Sequence, residues 1–182
     1  MKLESPAESI RFAELALPHL DAAYNLARWL TRDSSDAADV VQEAMLRALR
    51  FFGSYRGGSG KSWLLTIVRN TAIDWMRTNR RTEIIFTDPE VTEDLQACVL
   101  NIPFEGDDPE TALIRADDRG RLDQLIAALP SEFRECLVLR EMEELSYKEI
   151  ATVIGVPIGT VMSRLSRARQ MMQRGWIKEE AQ

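Results

Sequence analysis

Cysteine and histidine are scarce in this chain, with two cysteines, Cys98 and Cys136, and one histidine, His19. Without a Cys-x-x-Cys pair or a second histidine, the residues that build zinc sites are missing. That sets aside most hydrolytic metalloenzymes and leaves only carboxylate-bound magnesium open; no metal, cofactor or catalytic residue is expected. Long apolar runs are missing as well, and none approaches the ~20 residues that cross a bilayer. The stretch Met1–Arg11 carries acids and lacks the apolar segment of a signal peptide. These absences point to a cytoplasmic protein with reduced thiols. Strand patterning is absent too. Nothing alternates with period two beyond Ile84–Phe86, which is too short to found a sheet.

What remains is helical. At 182 residues, 45% hydrophobic and 29% charged, the chain can form one mid-sized globular domain or two small ones. Apolar positions recur with helical spacing from Ala13 to Trp29, with Leu15, Leu20, Ala23, Leu26, Ala27 and Leu30 as inward candidates. A second helix opens at Asp36, where Ala37, Val40, Val41, Ala44, Met45, Ala48, Leu49 and Phe52 form one stripe of a 3.6-residue helix. A glycine-rich loop follows over Gly53–Gly60, and Ser62–Arg77 resumes as a helix. Pro109 suits a first helical turn, and that helix runs to Leu129, where Pro130 stops it. Three shorter helices are expected at about 131–143, 146–154 and 158–174.

The net charge of −6 is unevenly distributed. Residues 1–81 hold 12 basic and 9 acidic side chains, residues 82–108 hold 8 acids and no base, and residues 109–182 hold 11 basic and 12 acidic. The middle segment also carries Pro89, Pro103 and Gly106. A stretch so long and weakly patterned reads as an acidic linker between two domains. The fold class is therefore all-α, with two small helical bundles, 1–81 and 109–182, joined by a flexible tether at 82–108.

The most informative motif lies near the C-terminus. Ser146 and Glu149 have the spacing of a capping box. Gly155 suits the left-handed turn that ends a helix, and Pro157 sits beside the next start. Counted from Tyr147, Ala151 is the fifth residue, Gly155 the ninth and Val161 the fifteenth. A helix-turn-helix needs a small residue, a glycine turn and an aliphatic pin in this order. With Val161, Leu165 and Ala168 inward, Thr160, Ser163, Arg164 and Arg167 are expected on the outer face. Arginine can bridge guanine O6 and N7 there, and serine or threonine can reach phosphates or base edges. A solvated basic face built from Arg164, Arg167 and Arg169 would share this spacing.

The stretches Leu129–Pro130, Phe133–Arg140, Glu144–Ala151 and Gly155–Arg169 together resemble region 4 of the extracytoplasmic-function sigma factors, in the sigma-70 family. Asp36–Glu43 resembles the polymerase-binding part of their region 2. Tyr55–Gly57 resembles the loop ahead of the promoter-melting helix, and Trp63–Asp74 that helix itself. The resemblance spans nearly all of 10–175 in the family's order, and two matched motifs at the right distance are more specific than either alone. It implies a non-enzymatic factor that binds core RNA polymerase and directs initiation at promoter DNA.

Core polymerase contacts are then expected at Asp36, Asp39, Gln42 and Glu43, against the clamp helices of the largest subunit, with the C-terminal domain at the flap region. The −10 contacts are expected at Tyr55, Arg56, Lys61, Asn70, Asp74, Arg77, Arg80 and Arg81. The −35 contacts fall at Tyr147, Lys148, Thr160, Met162, Ser163, Arg164, Ser166 and Arg167. Trp63 and Trp75 are expected mainly in the core. Asp74 is an unusual side chain to present to DNA, able to accept from a base or to orient Arg77. Met162 stands where relatives frequently carry a basic residue. Relatives are often controlled by an anti-sigma protein, and their linker threads the RNA-exit path.

Two other function classes are testable in the same residues. Gly57–Ser62 resembles a phosphate-binding loop, but the required earlier glycine is Tyr55 and the preceding segment is a helix, not a strand. A stand-alone helix-turn-helix regulator would dimerise on two half-sites and bind duplex DNA unaided. The low net charge argues for weak binding by the free chain, since phosphate contacts supply most non-specific affinity.

Overall fold

The computed structural model describes residues 6–83 and 109–180, with side chains over 7–79 and 118–177. Among the described residues every regular element is helical and no strand occurs, so the all-α expectation holds. The expected linker lies almost entirely outside the described residues. Its first two positions, Thr82 and Glu83, still belong to a helix.

The N-terminal unit is built from α1 (Pro6–Ala16), α2 (Leu20–Thr31), α3 (Ser34–Phe51) and α4 (Gly60–Glu83). The single helix expected over Ala13–Trp29 is in fact two. Pro18 lies in a 3-10 turn over Leu17–His19 that redirects the chain, as a residue without an N–H does inside a helix. Leu20, expected inward, falls beside this turn and is left exposed. The remaining stripe packs as expected, with Ala23, Leu26 and Ala27 buried against α3 and α4. Helix α3 starts two residues earlier than Asp36, because the Asp33 carboxylate accepts from the Asp36 N–H at 2.8 Å. Ala37, Val40, Val41, Ala44 and Ala48 are buried on one side of it.

The C-terminal unit comprises α5 (Pro109–Ala128), α6 (Ser131–Leu137) with a π turn over Val138–Met142, α7 (Tyr147–Ile154) and α8 (Ile158–Glu180). Helix α8 runs six residues past the expected 174 and returns onto α5, where the Arg121 guanidinium lies 4.5 Å above the Trp176 ring.

The two units touch. Helix α2 lies against α6, and α4 against α7. Helix ends leave carbonyls without intrahelical partners, and here arginines cross the boundary to meet them. Arg134 donates to the Trp29 carbonyl at the end of α2, 3.0 Å, and Arg32 donates to the Ala127 carbonyl at the end of α5, 2.7 Å. Each places a cation at the negative end of the other unit's helix.

Candidate nucleic-acid interface

The helix-turn-helix is α7, its turn and the start of α8. Ser146 caps α7, its hydroxyl accepting from the Glu149 N–H at 3.3 Å while the Glu149 carboxylate accepts from the Ser146 N–H at 2.9 Å. The Ser146 hydroxyl donating to the Glu149 carboxylate at 2.7 Å, then the Ser146 N–H, with Ser62 and Ser59 adding, outweigh burial and hold the Glu149 carboxyl down at about 2. At the other end Gly155 takes φ +69°, and its N–H reaches the Ala151 carbonyl at 3.0 Å. The turn sets α8 across α7, with Ile150, Val153, Ile154, Val161, Leu165 and Ala168 buried between and beneath them.

That burial leaves a row of α8 facing outward. Met162, Ser163, Ser166 and Arg167 are exposed, while Thr160 and Arg164 are half-buried. Arg164 leans on Cys136, whose thiol is pushed up to about 11 by burial and by Glu135, with Arg164 only partly opposing. The outermost row is therefore rotated from the expected one: Arg164 lies on the flank nearest α6, Met162 lies on the opposite flank, and Ser163 and Ser166 take the middle. Arg169 pairs with Glu141 at 2.8 Å. Lys148 is exposed on α7, and Tyr147 is half-buried with the Arg140 guanidinium 5.3 Å over its ring.

In the N-terminal unit the glycine-rich loop is braced by aromatics. Phe52 meets Phe12 edge-on at 5.6 Å, Tyr55 stacks parallel to Phe52 at 6.4 Å, and Trp63 lies 5.2 Å from Tyr55. The Tyr55 hydroxyl donates to the Gly58 carbonyl at 2.7 Å, and Gly57 and Gly58 have φ of +92° and +100°. Positive φ is freely open only to glycine, so the loop's shape is written into those residues. Arg56 in the loop and Asn70 and Arg77 on α4 are exposed, and Lys61 pairs with Glu143 at 2.9 Å.

On α3, Asp39 and Gln42 are exposed, Asp36 and Glu43 half-buried. Glu43 holds Arg47 at 2.9 Å, and Arg47 reaches Asp74 on α4 at 3.0 Å. Leu46 falls opposite the buried stripe, in the midst of this acidic face, and is 47% exposed.

Comparison with known proteins agrees with this arrangement. Residues 15–82 match sigma-70 region 2, and residues 119–172 match sigma-70 region 4. The chain is 37% identical to the RNA polymerase sigma-H factor of Pseudomonas aeruginosa over 172 residues, covering 90% of this chain and 84% of that one. It belongs to the extracytoplasmic-function sigma factors. The sigma-E factor of Escherichia coli K12 is 36% identical over 139 residues, 75% of this chain and 72% of that one. Among solved structures, the sigma factor RpoE of Bartonella quintana, in complex with the anti-sigma factor NepR, superposes with a TM-score of 0.69 at 26% identity. That match covers 91% of this chain and 96% of RpoE. As a sigma factor, the protein directs RNA polymerase to promoters in transcription initiation.

Within this sigma factor the residues expected at DNA divide by position. Met162, Ser163, Ser166 and Arg167 are exposed along the outer side of α8 and Lys148 is exposed on α7, with Thr160 and Arg164 half-buried. Arg56, Asn70 and Arg77 line the outer side of the loop and α4, whereas Tyr55 is engaged in bracing the loop. Trp63 and Trp75 are half-buried against the core, close to expectation. Asp74 is exposed and pairs with Arg47 rather than Arg77, a bridge that ties α3 to α4. The side chains of Arg80 and Arg81 lie outside the described residues. Leu46 was not singled out from the sequence, although its place opposite the stripe was a readable signal. The contacts of Arg69, Glu135 and Glu143 had none, for their partners are far away in the chain. Among the described residues no group of acids, cysteines or histidine could hold a metal ion. No helix there is long and apolar enough to cross a membrane.

Proposed function

We propose that this sigma factor holds core polymerase through the outer face of α3, reads −35 duplex with α8, and opens the −10 region with the loop and α4. It does so without catalytic chemistry of its own. The observation that carries this reading is the exposed row on α8, set across α7, a helix capped at both ends. A helix held so firmly beneath an outward row of Ser, Arg and Met has the width and chemistry of a major-groove reader. Arg167 is the side chain suited to guanine, Ser163 and Ser166 to phosphate or base edges, and Met162 to an apolar edge such as a thymine methyl. Lys148 supplies charge to the backbone, and Thr160 and Arg164 support from the flank.

For −10 DNA, Arg56, Lys61, Arg77, Arg80 and Arg81 supply cations, while Asn70 offers donor and acceptor to an unstacked base. Asp36, Asp39, Gln42 and Glu43 meet a basic surface on the polymerase clamp helices. Leu46 in their midst supplies the apolar anchor such a patch needs. The resemblance to NepR-bound RpoE favours control by an anti-sigma protein.

Run-off transcription with core polymerase on a promoter library tests the whole reading. Arg167→Ala should weaken promoter binding by about 1–3 kcal/mol if it reads a base; unchanged promoter-dependent transcription would sink the groove assignment. Asp39→Arg and Leu46→Ala should each lower core affinity, on the order of 1–2 kcal/mol, with helix content intact. Normal assembly of both variants with core would move the docking surface elsewhere.

A further inference from the structure

Among the described residues two buried side-chain nitrogens have no hydrogen-bond partner, Trp75 Nε1 and Arg134 Nε. Nearly all buried N–H groups are bonded, so each orphan calls for a reason. These two share a place, for both residues line a single cleft of about 470 Å³. Small-molecule sites span roughly 300–1,000 Å³. Trp29 at the end of α2, Trp75 and Met76 on α4, and Leu129 and Pro130 between α5 and α6 give the cleft an aromatic and apolar wall. Asn79 and Ser131 add neutral polar groups to it.

Arg134 sets the charge that such a cleft can take. It is 5% exposed, and its two terminal nitrogens are spent on neutral carbonyls, those of Trp29 and Leu129, at 3.0 Å each. Buried cations ordinarily have an anion beside them, and Arg134 forms no ion pair with a carboxylate of the described residues. Burial, with Arg32 adding, pushes its pKa down to about 10; a negative charge in the cleft would oppose both effects. Among the described residues Asp36 is the one carboxylate on the lining, set against Arg32 and Arg134. The balance therefore favours a single negative charge. A bare inorganic anion would satisfy the donors and leave the apolar wall in water, whereas an organic acid with an aromatic body uses both.

We propose that this cleft is a binding site for a small aromatic monocarboxylate. Its carboxylate accepts from Trp75 Nε1 and Arg134 Nε, and its body lies against Trp29, Met76 and Leu129. The site shares Asp36 with the row proposed at polymerase and no residue with those proposed at DNA. Its failure would leave the reading of those surfaces untouched.

The test uses the full chain, isothermal titration calorimetry and proton–nitrogen correlation spectra of the indole N–H groups, with cinnamate as the probe. Cinnamate should bind. The Trp75 N–H resonance, identified by its loss in Trp75→Phe, should move downfield more than those of Trp29, Trp63 and Trp176. Cinnamamide has the same body without the charge and should bind roughly tenfold more weakly. Acetate, with the charge but not the body, should lose at least as much. Trp75→Phe keeps an aromatic wall and removes an N–H that has no partner in the chain. Helix content and unfolding midpoint should therefore hold, while cinnamate affinity falls roughly tenfold. This variant is cleaner than one at Arg134, whose other nitrogens hold two helix-end carbonyls. Equal affinity for cinnamate and cinnamamide, an unmoved Trp75 N–H, or full affinity in Trp75→Phe overturns the proposal. So does an absence of binding in the millimolar range, in which case water serves the two donors.

Discussion

Glu149 shows how much one side chain can carry. From the sequence it was legible as half of a capping box, and the structure contains both reciprocal bonds to Ser146. A further partner, Ser62, lies 87 residues away and left no trace in local spacing. Because its carboxyl is held down at about 2 from an ordinary 4.5, the ionised form favours the folded state. The sign follows from that direction: the contribution is complete above pH 4.5 and fades as the pH falls toward 2. Glu149→Gln keeps the shape of the cap but does not titrate. Denaturant unfolding across pH should therefore show the wild type more stable than Glu149→Gln near neutrality. The gap should close as acid is added; a gap independent of pH would mean that the charge of Glu149 plays no part.

Among the elements, α3 was the most legible, because one stripe at helical spacing is buried on one side and acids with Leu46 stand on the other. The break at Leu17–His19 was readable as well, since Pro18 cannot continue the hydrogen-bond ladder, but apolar periodicity on both sides masked it. The π turn at Val138–Met142 had no such sign. It is closed by the Glu143 N–H reaching the Val138 carbonyl at 3.1 Å, and it turns Glu143 toward Lys61, so its reason lies outside the element. Helix α5 offers a clean test of local propensity. Gly120 is exposed in its interior, and a Cβ there would meet nothing within 4 Å. Gly120→Ala removes backbone freedom from the unfolded chain without a clash and should stabilise the protein by about 1 kcal/mol, seen as a higher unfolding midpoint. A lower midpoint would mean that α5 is not held as a regular helix there.

At the scale of the whole molecule, the two units were legible from the charge distribution and the ordered motifs, but their contact was not. Pairs such as Arg69 with Glu135 look in sequence like ordinary surface charges, and only the fold brings them together. Arg134 is the clearest instance. It is 5% exposed, and burial with nearby Arg32 pushes its pKa down to about 10. What keeps it charged there is a fork of two hydrogen bonds, to the Trp29 and Leu129 carbonyls at 3.0 Å each. Arg134→Met removes the cost of burying a cation but strands two acceptors, and a stranded buried acceptor costs about 1–3 kcal/mol. The cleft beside it can admit water to those carbonyls once the units separate. The loss should therefore fall on the contact between the units before it falls on either bundle. Denaturant unfolding followed by helical signal should show a stability loss of about 1–3 kcal/mol, and scattering an expanded chain below the unfolding midpoint. Arg134→Lys should not restore compactness, because an ammonium lacks the planar fork that meets two carbonyls at once. Full recovery with lysine would show that positive charge at the end of α2, rather than the two-armed geometry of arginine, holds the units together.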